Sequence, residues 1–516
     1  MKTWRIFVIS SIFITGYCQD VNLTFPEHLK LGVATASYQT EGAWNANDKG
    51  VNVWDFWTHK YPSLIADESN GDVACDTYNK YKEDVQIIKN LGFNFFRLSI
   101  SWSRILPSGL ANEISKDGIR YYKNFITELI ANDIEPVVSL YHWDHPQVIE
   151  EMGGWTNELI VDWFVDYARI IFTELGPYVK IFTTINEPQI FCSQGYGSVK
   201  TAPGKLLQDV GPYLCGHNVL KAHAKVYHMY DDEFRATQRG QIGMALSASS
   251  YYPLDADDNV SPDTAFQFEC GWFMNPIFIG DYPEIMKTRI DMISERQGYS
   301  ESRLPRFTPE WIAYIKGTAD YFGLNHYSSK IVEPDPEEEF NVYNTDEGII
   351  HTRNSTWSMS ATSWLWVVPE GFGNVLRKIK NDYGDPTIFV LENGYSDEGE
   401  LDDYHRIEYY YSYLKELLIA VNRDGCKVER YAVWSILDNF EWSEGYTKKF
   451  GIIGVDFDNP SRNRTYKLSA KWWERVLHTR TLLEVPRSSA PNNYTWSFMI
   501  TACCIMSVFN YFHILR

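Results

Sequence analysis

Short apolar runs recur along the chain, each closed by polar or glycine residues and followed by a stretch with helical spacing. In order they are Leu31–Ala36, Asn94–Ile100, Glu135–Tyr141, Lys180–Asn186, Gln241–Ser247, Asp320–Asn325, Thr387–Glu392 and Arg430–Ile436. Runs that are apolar almost throughout, rather than alternating, are what strands buried on both faces show. Between them, Tyr81, Val85, Ile88 and Leu91 share one face of a helix predicted over Tyr78–Leu91. Tyr122, Ile126 and Leu129 do so over Gly118–Ala131, and Leu159–Leu175 is a third such segment. Eight strands alternating with helices predict an α/β protein built as a single (β/α)8 TIM barrel. A doubly wound sheet is the alternative, but no glycine-rich phosphate turn follows the first strand. No linker, repeat or low-complexity segment breaks the middle of the chain, so one domain is expected over residues 19–487.

The two ends read differently. Lys2 and Arg5 precede an apolar stretch, Ile6–Thr15, that is too short to span a bilayer, and Gly16-Tyr-Cys18 forms a small exit. Residues 1–18 are therefore expected to be a signal peptide. Residues 488–516 begin with Ser488-Ser-Ala490 and turn apolar from Tyr494, which predicts a lipid-anchor signal or, as the second choice, a spanning helix. A secreted or membrane-tethered, glycosylated protein is expected. The sequons at Asn22, Asn259, Asn354, Asn463 and Asn493 agree, although Pro262 weakens the triplet at Asn259. Between the ends lie Cys75, Cys192, Cys215, Cys270 and Cys426, whose spacing fits no zinc motif. In an oxidising compartment they allow one or two disulfides and leave at least one thiol over.

Composition narrows the partners. The formal net charge of −20 argues against nucleic acid, which selects basic clusters. Aromatics make up 16% of the chain, enough for a large core and for faces on which flat or sugar ligands stack.

A barrel of this kind does its chemistry at the C-terminal ends of its strands. Reading off those ends gives Gln39 and Glu41, Arg97, His142 and Trp143, Asn186 and Glu187, Asn325 and Tyr327, Glu392 and Asn393, and Trp434 with Glu441 and Trp442 beyond it. Amides and carboxylates bind hydroxyls, and Trp faces take C–H surfaces, so the rim suits a sugar. His142, Asp144 and His145 stand too close in sequence to build a metal site by themselves. Glycosidic bonds are cleaved by a pair of carboxyl groups. Glu187 and Glu392 are the best pair, because each closes a buried strand beside an Asn; Glu41 and Glu441 are the rivals.

At these residues the chain resembles glycoside hydrolase family 1, the β-glucosidase family. Thr184-Ile-Asn-Glu-Pro188 is similar to the family's acid/base motif and Leu391-Glu-Asn-Gly394 to its nucleophile motif. Ala34-Thr-Ala-Ser-Tyr-Gln-Thr-Glu-Gly42 resembles its N-terminal signature, and Asp438-Asn-Phe-Glu-Trp442 with Gly445-Tyr446 and Phe450-Gly451 its sugar-binding tail. The resemblance implies that Gln39, His142, Asn186 and Glu441 hold the sugar hydroxyls. Trp434 and Trp442 would wall the site, and Phe450 would lie near the outer hydroxyl. Arg97, Asn325 and Tyr327 would orient and polarise Glu392, and Trp364 would be the platform for the leaving group. Glu441 suits neutral sugars and would repel a 6-phosphate. Lys448 and Lys449 are expected to be solvated charges, with attraction of an anionic leaving group as the alternative.

The implied activity is retaining hydrolysis of a small-molecule β-glucoside or oligosaccharide, with the carboxyls ~5–5.5 Å apart and no metal or organic cofactor. Glu392 would form a glycosyl-enzyme ester while Glu187 serves as acid and then base. Two alternatives stay open: a thioglucosidase (myrosinase) hydrolysing glucosinolates, and a non-catalytic tethered sugar-binding protein. Aglycone choice is expected to reside in loops such as Ile331–Ala361, which carry no motif.

Overall fold

The computed structural model describes residues 22–335 and 346–486. The expected signal peptide, the 488–516 tail and the sequon at Asn493 lie outside them.

All eight apolar runs are strands: β1 (Lys30–Ala34), β2 (Phe95–Ser99), β3 (Glu135–Tyr141), β4 (Ile181–Asn186), β5 (Gln241–Ser247), β6 (Tyr321–Asn325), β7 (Ile388–Asn393) and β8 (Val428–Val433). They close in sequence order into one parallel barrel, with Val33 opposite Val433 on one side and Phe96 on the other. β3 and β5 match their runs residue for residue. β8 begins at Val428, where it can pair with Ile388, and stops at Val433, so Trp434 stands just past its end.

The eight outer helices are α1 (Thr77–Leu91), α2 (Lys116–Ala131), α3 (Ile160–Glu174), α4 (Gly211–Tyr230), α5 (Glu284–Arg296), α6 (Pro369–Asp382), α7 (Tyr404–Asn422) and α8 (Leu468–Thr479). In α1, Val85, Ile88 and Leu91 are buried as expected, while Tyr81 is half-buried. In α2, Tyr122, Ile126 and Leu129 are fully buried, each aliphatic side chain contributing roughly 1.5–3 kcal/mol. The Ser115 hydroxyl accepts a bond from Gly118 N at 2.9 Å, which satisfies an orphan donor where α2 begins.

The sequence did not show the excursions above the barrel. Ser250–Pro253, Ser329–Pro334 and Ile349–Thr352 form a small three-stranded sheet between the exits of β5 and β6, and Ile453–Val455 pairs with Arg464–Tyr466. Two breaks in the barrel ladder matter more. Register slips between Thr183 and Asn186 in β4, and between Val390 and Glu392 in β7. Such irregularities re-aim the side chains that follow. Gly394 lets the β7 exit pass close to β8, because a Cβ there would stand 1.8 Å from the Trp434 carbonyl oxygen.

Cys192 and Cys215 form a disulfide between the helix Pro188–Gly197 and α4, while Cys75, Cys270 and Cys426 are buried thiols. The first and last described segments meet at the N-terminal face of the barrel: Phe25 N donates to Arg480 O and Leu482 N to Leu23 O, both at 2.8 Å. No helix among the described residues is long and apolar enough to cross a membrane.

Candidate active site

Glu392 lies at the end of β7, and only 4% of it is exposed. Its Oε1 accepts a bond from Arg97 Nη1 at 2.5 Å and its Oε2 one from the Tyr327 hydroxyl at 2.8 Å. Burial and the Glu392 charge push the Tyr327 pKa well up, so the phenol stays a donor. Arg97 projects from the middle of β2 and is fully buried. Its Nε donates to Ser139 Oγ at 3.0 Å and its Nη2 to Asn186 Oδ1 at 2.6 Å. The same Asn186 oxygen accepts Asn325 Nδ2 at 3.1 Å, and that nitrogen also donates to Glu187 Oε1 at 3.0 Å. A continuous hydrogen-bonded chain thus runs from Glu392 through Arg97, Asn186 and Asn325 to Glu187.

This corrects one expected role. Asn325 holds Glu187, not Glu392, although the two are partners across the β6–β7 ladder. The slip after Val390 turns the Glu392 carboxylate toward Arg97 and Tyr327 and leaves the amide facing the other carboxyl.

Glu187 follows β4 with a left-handed backbone, φ 43°, and caps the helix Pro188–Gly197. That conformation is costly for a side chain with a Cβ and recurs at functional sites. Burial first, and the charge of Glu392 second, raise its pKa from the ordinary carboxyl range to about 8. Glu187 therefore rests protonated at neutral pH beside a carboxylate paired with Arg97.

The amide of Gln39, four residues past Thr35, donates to Asn439 Oδ1 and Phe440 O at 2.9 Å and to Glu441 Oε2 at 3.3 Å. Among the described residues Gln39 Oε1 has no hydrogen-bond partner. Burial and then Glu392 raise the Glu441 pKa to about 8. Asn186 Nδ2 lies 3.1 Å from His142 Nε2. Because Asn186 Oδ1 is committed to Arg97 and Asn325, Nδ2 must donate and Nε2 accept. Burial, assisted by Arg97, depresses the His142 pKa, so the ring is neutral with its proton on Nδ1, which also has no hydrogen-bond partner among the described residues. Buried donors and acceptors left open in this way suit a ligand rich in hydroxyls. The rings of Trp434 and Trp442 each lie near-parallel to His142 at 5.9 Å. Phe450 is buried, and Trp364, 48% exposed, lies parallel to it at 6.4 Å and edge-on to Tyr327 at 5.6 Å.

Other candidates are placed elsewhere. Glu41 is tied to Arg104 Nε at 3.0 Å and to the Tyr122 hydroxyl at 2.6 Å, a buried ion pair beneath the rim. Glu41→Ala is expected to cost about 3–5 kcal/mol of stability, because it strands a buried guanidinium; chemical denaturation measures this. His145 faces Tyr141 and Glu150, and Asp144 accepts from Ser37, so neither turns toward His142. Lys449 donates to Tyr446 O and lies over Phe457 at 4.6 Å, and Lys448 is 3.8 Å from Glu398. Ser139 and Asn439 were missed. Ser139 is the one small polar side chain in an apolar run, and Asn439 sits inside the tail motif, so each left a faint trace.

A TIM barrel whose rim joins two buried carboxyls through Arg and Asn, with open amides and Trp walls nearby, defines a glycoside hydrolase. Residues 21–482 match the family model for glycosyl hydrolase family 1, and the chain belongs to that family. It is 45% identical to myrosinase 1 of Brevicoryne brassicae over 88% of this chain and 98% of that one. The solved structure of aphid myrosinase superposes with a TM-score of 0.85 at 45% identity, covering 88% of this chain and 99% of that one. A rice beta-glucosidase in a covalent complex with Glc superposes with a TM-score of 0.83 at 34% identity, covering 90% and 100%. The chain is thus a retaining β-glycosidase of the β-glucoside-hydrolysing family.

Proposed function

We propose that the chain hydrolyses β-glucosides linked through oxygen, with Glu392 as nucleophile and Glu187 as acid and base. The observation that carries this is the pair of buried carboxyls joined by one hydrogen-bonded chain, Glu392 held by Arg97 and Glu187 held by Asn325. A carboxylate of Glu392 attacks the anomeric carbon as the bond to the aglycone oxygen breaks. The Glu187 proton passes to that oxygen, and the alcohol departs. Water then attacks the same carbon, its proton returns to Glu187, and the Glu392 carboxylate is released. Tyr327 and Arg97 orient the nucleophile, Asn325 orients the acid, and Gln39, His142 and Glu441 hold hydroxyls. Trp364, at the mouth, serves the aglycone.

A thiolate leaves with little acid assistance, so a protonated carboxyl at Glu187 serves an oxygen aglycone. Similarity to a myrosinase favours the second reading, hydrolysis of S-glycosides such as glucosinolates. Side-by-side assay of an alkyl O-glucoside, whose leaving oxygen needs the proton, and a glucosinolate decides: kcat/KM for the O-glucoside is expected to be the higher. The reverse ratio would favour the thioglucosidase.

Activity should also fall as pH rises through about 8, because the acid form of Glu187 is lost there. Glu441 titrates in the same range, so Glu441→Gln is the control. It should leave the alkaline limb in place while weakening glucoside binding. Both carboxyls have folded-state values above their unfolded ones, so the native state holds extra protons between about pH 4.3 and 8. Their contribution to stability is full below that window and is lost as pH rises through about 8. Glu441→Gln is therefore expected to flatten the fall in melting temperature between pH 5 and 9, readable by calorimetry.

We further propose export, on the charge and hydropathy of residues 1–18 and 488–516. Asn22, Asn259, Asn354 and Asn463 are exposed and available to glycans. Expression in a secretory host should yield a product beginning at Gln19, read by N-terminal sequencing.

A further inference from the structure

Arg406, in the first turn of α7, is fully buried and spends every nitrogen of its guanidinium. From behind, Asp403 Oδ2 accepts its Nε at 2.8 Å, and Asp397 Oδ2 accepts its Nη2. Asp403 is itself anchored, accepting Ser469 N at 2.7 Å and Ser469 Oγ at 2.5 Å. Forward, Arg406 donates to three backbone carbonyls: Nη1 to Phe450 at 3.0 Å and to Tyr395, and Nη2 to Lys449 at 3.1 Å.

Those carbonyls belong to two different segments. Tyr395 and Asp397 lie in the loop that leaves β7 directly after Glu392. Lys449 and Phe450 lie in the loop after β8 that also carries Glu441 and Trp442. The segments meet in a single bridge, Asp397 N donating to Lys449 O at 2.9 Å and Lys449 N to Asp397 O at 3.0 Å. Buried Lys467 closes the ring underneath, 2.9 Å from Asp438 Oδ1 and 3.6 Å from Asp397 Oδ1, and the same Asp438 oxygen accepts Gly451 N at 2.9 Å. Two short backbone bonds would not fix one loop against the other; the planar fork of Arg406, donating to both, does.

We propose that Arg406 is a positioning residue for the reaction: it holds the sugar-recognition loop in register with the strand that carries Glu392. The inference rests on the roles given above to Glu392 and to Glu441–Phe450. Arginine is needed because its donors sit in a rigid fork, whereas lysine supplies the charge without the geometry. A loosened loop would mis-seat Glu441 and Phe450, and so would harm a sugar with an outer hydroxymethyl group more than one without.

The test is Arg406→Lys, assayed with an aryl β-glucoside and the aryl β-xyloside of the same leaving group, whose sugar lacks that hydroxymethyl. The expected result is a fall of about tenfold or more in kcat/KM for the glucoside, chiefly through KM, against less than about threefold for the xyloside. Loss of folded protein would lower both alike, so equal losses, or none, overturn the proposal. Should Arg406→Lys not fold, as judged by circular dichroism, Asp397→Asn removes one carboxylate at constant volume. It must show the same skew toward glucoside loss, and its absence likewise overturns the proposal. A wild-type enzyme that turned over neither substrate would sink the functional reading instead.

Discussion

Glu392→Gln should leave the protein folded and unable to turn over any β-glucoside, whatever its leaving group. The amide can still accept from Arg97 or Tyr327, so the local structure has partners to keep. It cannot form the glycosyl ester on which both steps depend. A loss of about five to six orders of magnitude in kcat is expected, the scale on which removing a covalent nucleophile acts. Stopped assays on aryl and alkyl glucosides, with circular dichroism to confirm the fold, measure it. Residual activity within about a hundredfold of wild type would move the nucleophile elsewhere, and Glu441 would be the next candidate. In the same variant the pKa of Glu187 should fall, since one of the influences raising it is gone.

Glu187→Gln should separate substrates instead of silencing them all. The substitution keeps an acceptor for Asn325 and removes the transferable proton. Alkyl glucosides and disaccharides, whose leaving oxygens need that proton, are expected to lose about 10²–10⁴-fold in kcat/KM, the range of a general acid. Nitrophenyl glucosides leave as stabilised phenolates and should lose far less. The alkaline limb near pH 8 should vanish from the pH profile. Equal losses on both substrates, with the limb intact, would remove Glu187 from the acid role.

The barrel was legible because burial on both faces of every strand leaves a plain hydropathy signature. Runs such as Glu135–Tyr141 could be placed to the residue. The strand ends gave the carboxyl pair, since an acidic group that closes an apolar run has few structural reasons to be there. Orientation was not legible. Asn325 was assigned to Glu392 by the family resemblance, and a slipped register that no composition reveals gave it to Glu187. Glu41 stood as a rival carboxylate until its partners, Arg104 and Tyr122, came together from segments over sixty residues away. Arg406 was invisible for the same reason: it reads as one more charge on an outer helix, and only the meeting of the β7 and β8 loops gives it work. The small sheet between the β5 and β6 exits has strands that are mostly exposed or half-buried, so they lack the apolar signature that marked the barrel.

The central claim is that Glu392 becomes covalently bonded to the sugar. Incubation with a 2-deoxy-2-fluoro β-glucoside carrying a good leaving group slows breakdown of the ester, and proteolysis with mass spectrometry then locates the adduct. The mass of one fluoroglucosyl unit on the peptide containing Leu391-Glu-Asn-Gly394, fragmenting at Glu392, is the predicted result. An adduct on Glu187 or Glu441, or turnover with inverted anomeric configuration and no adduct, would contradict it.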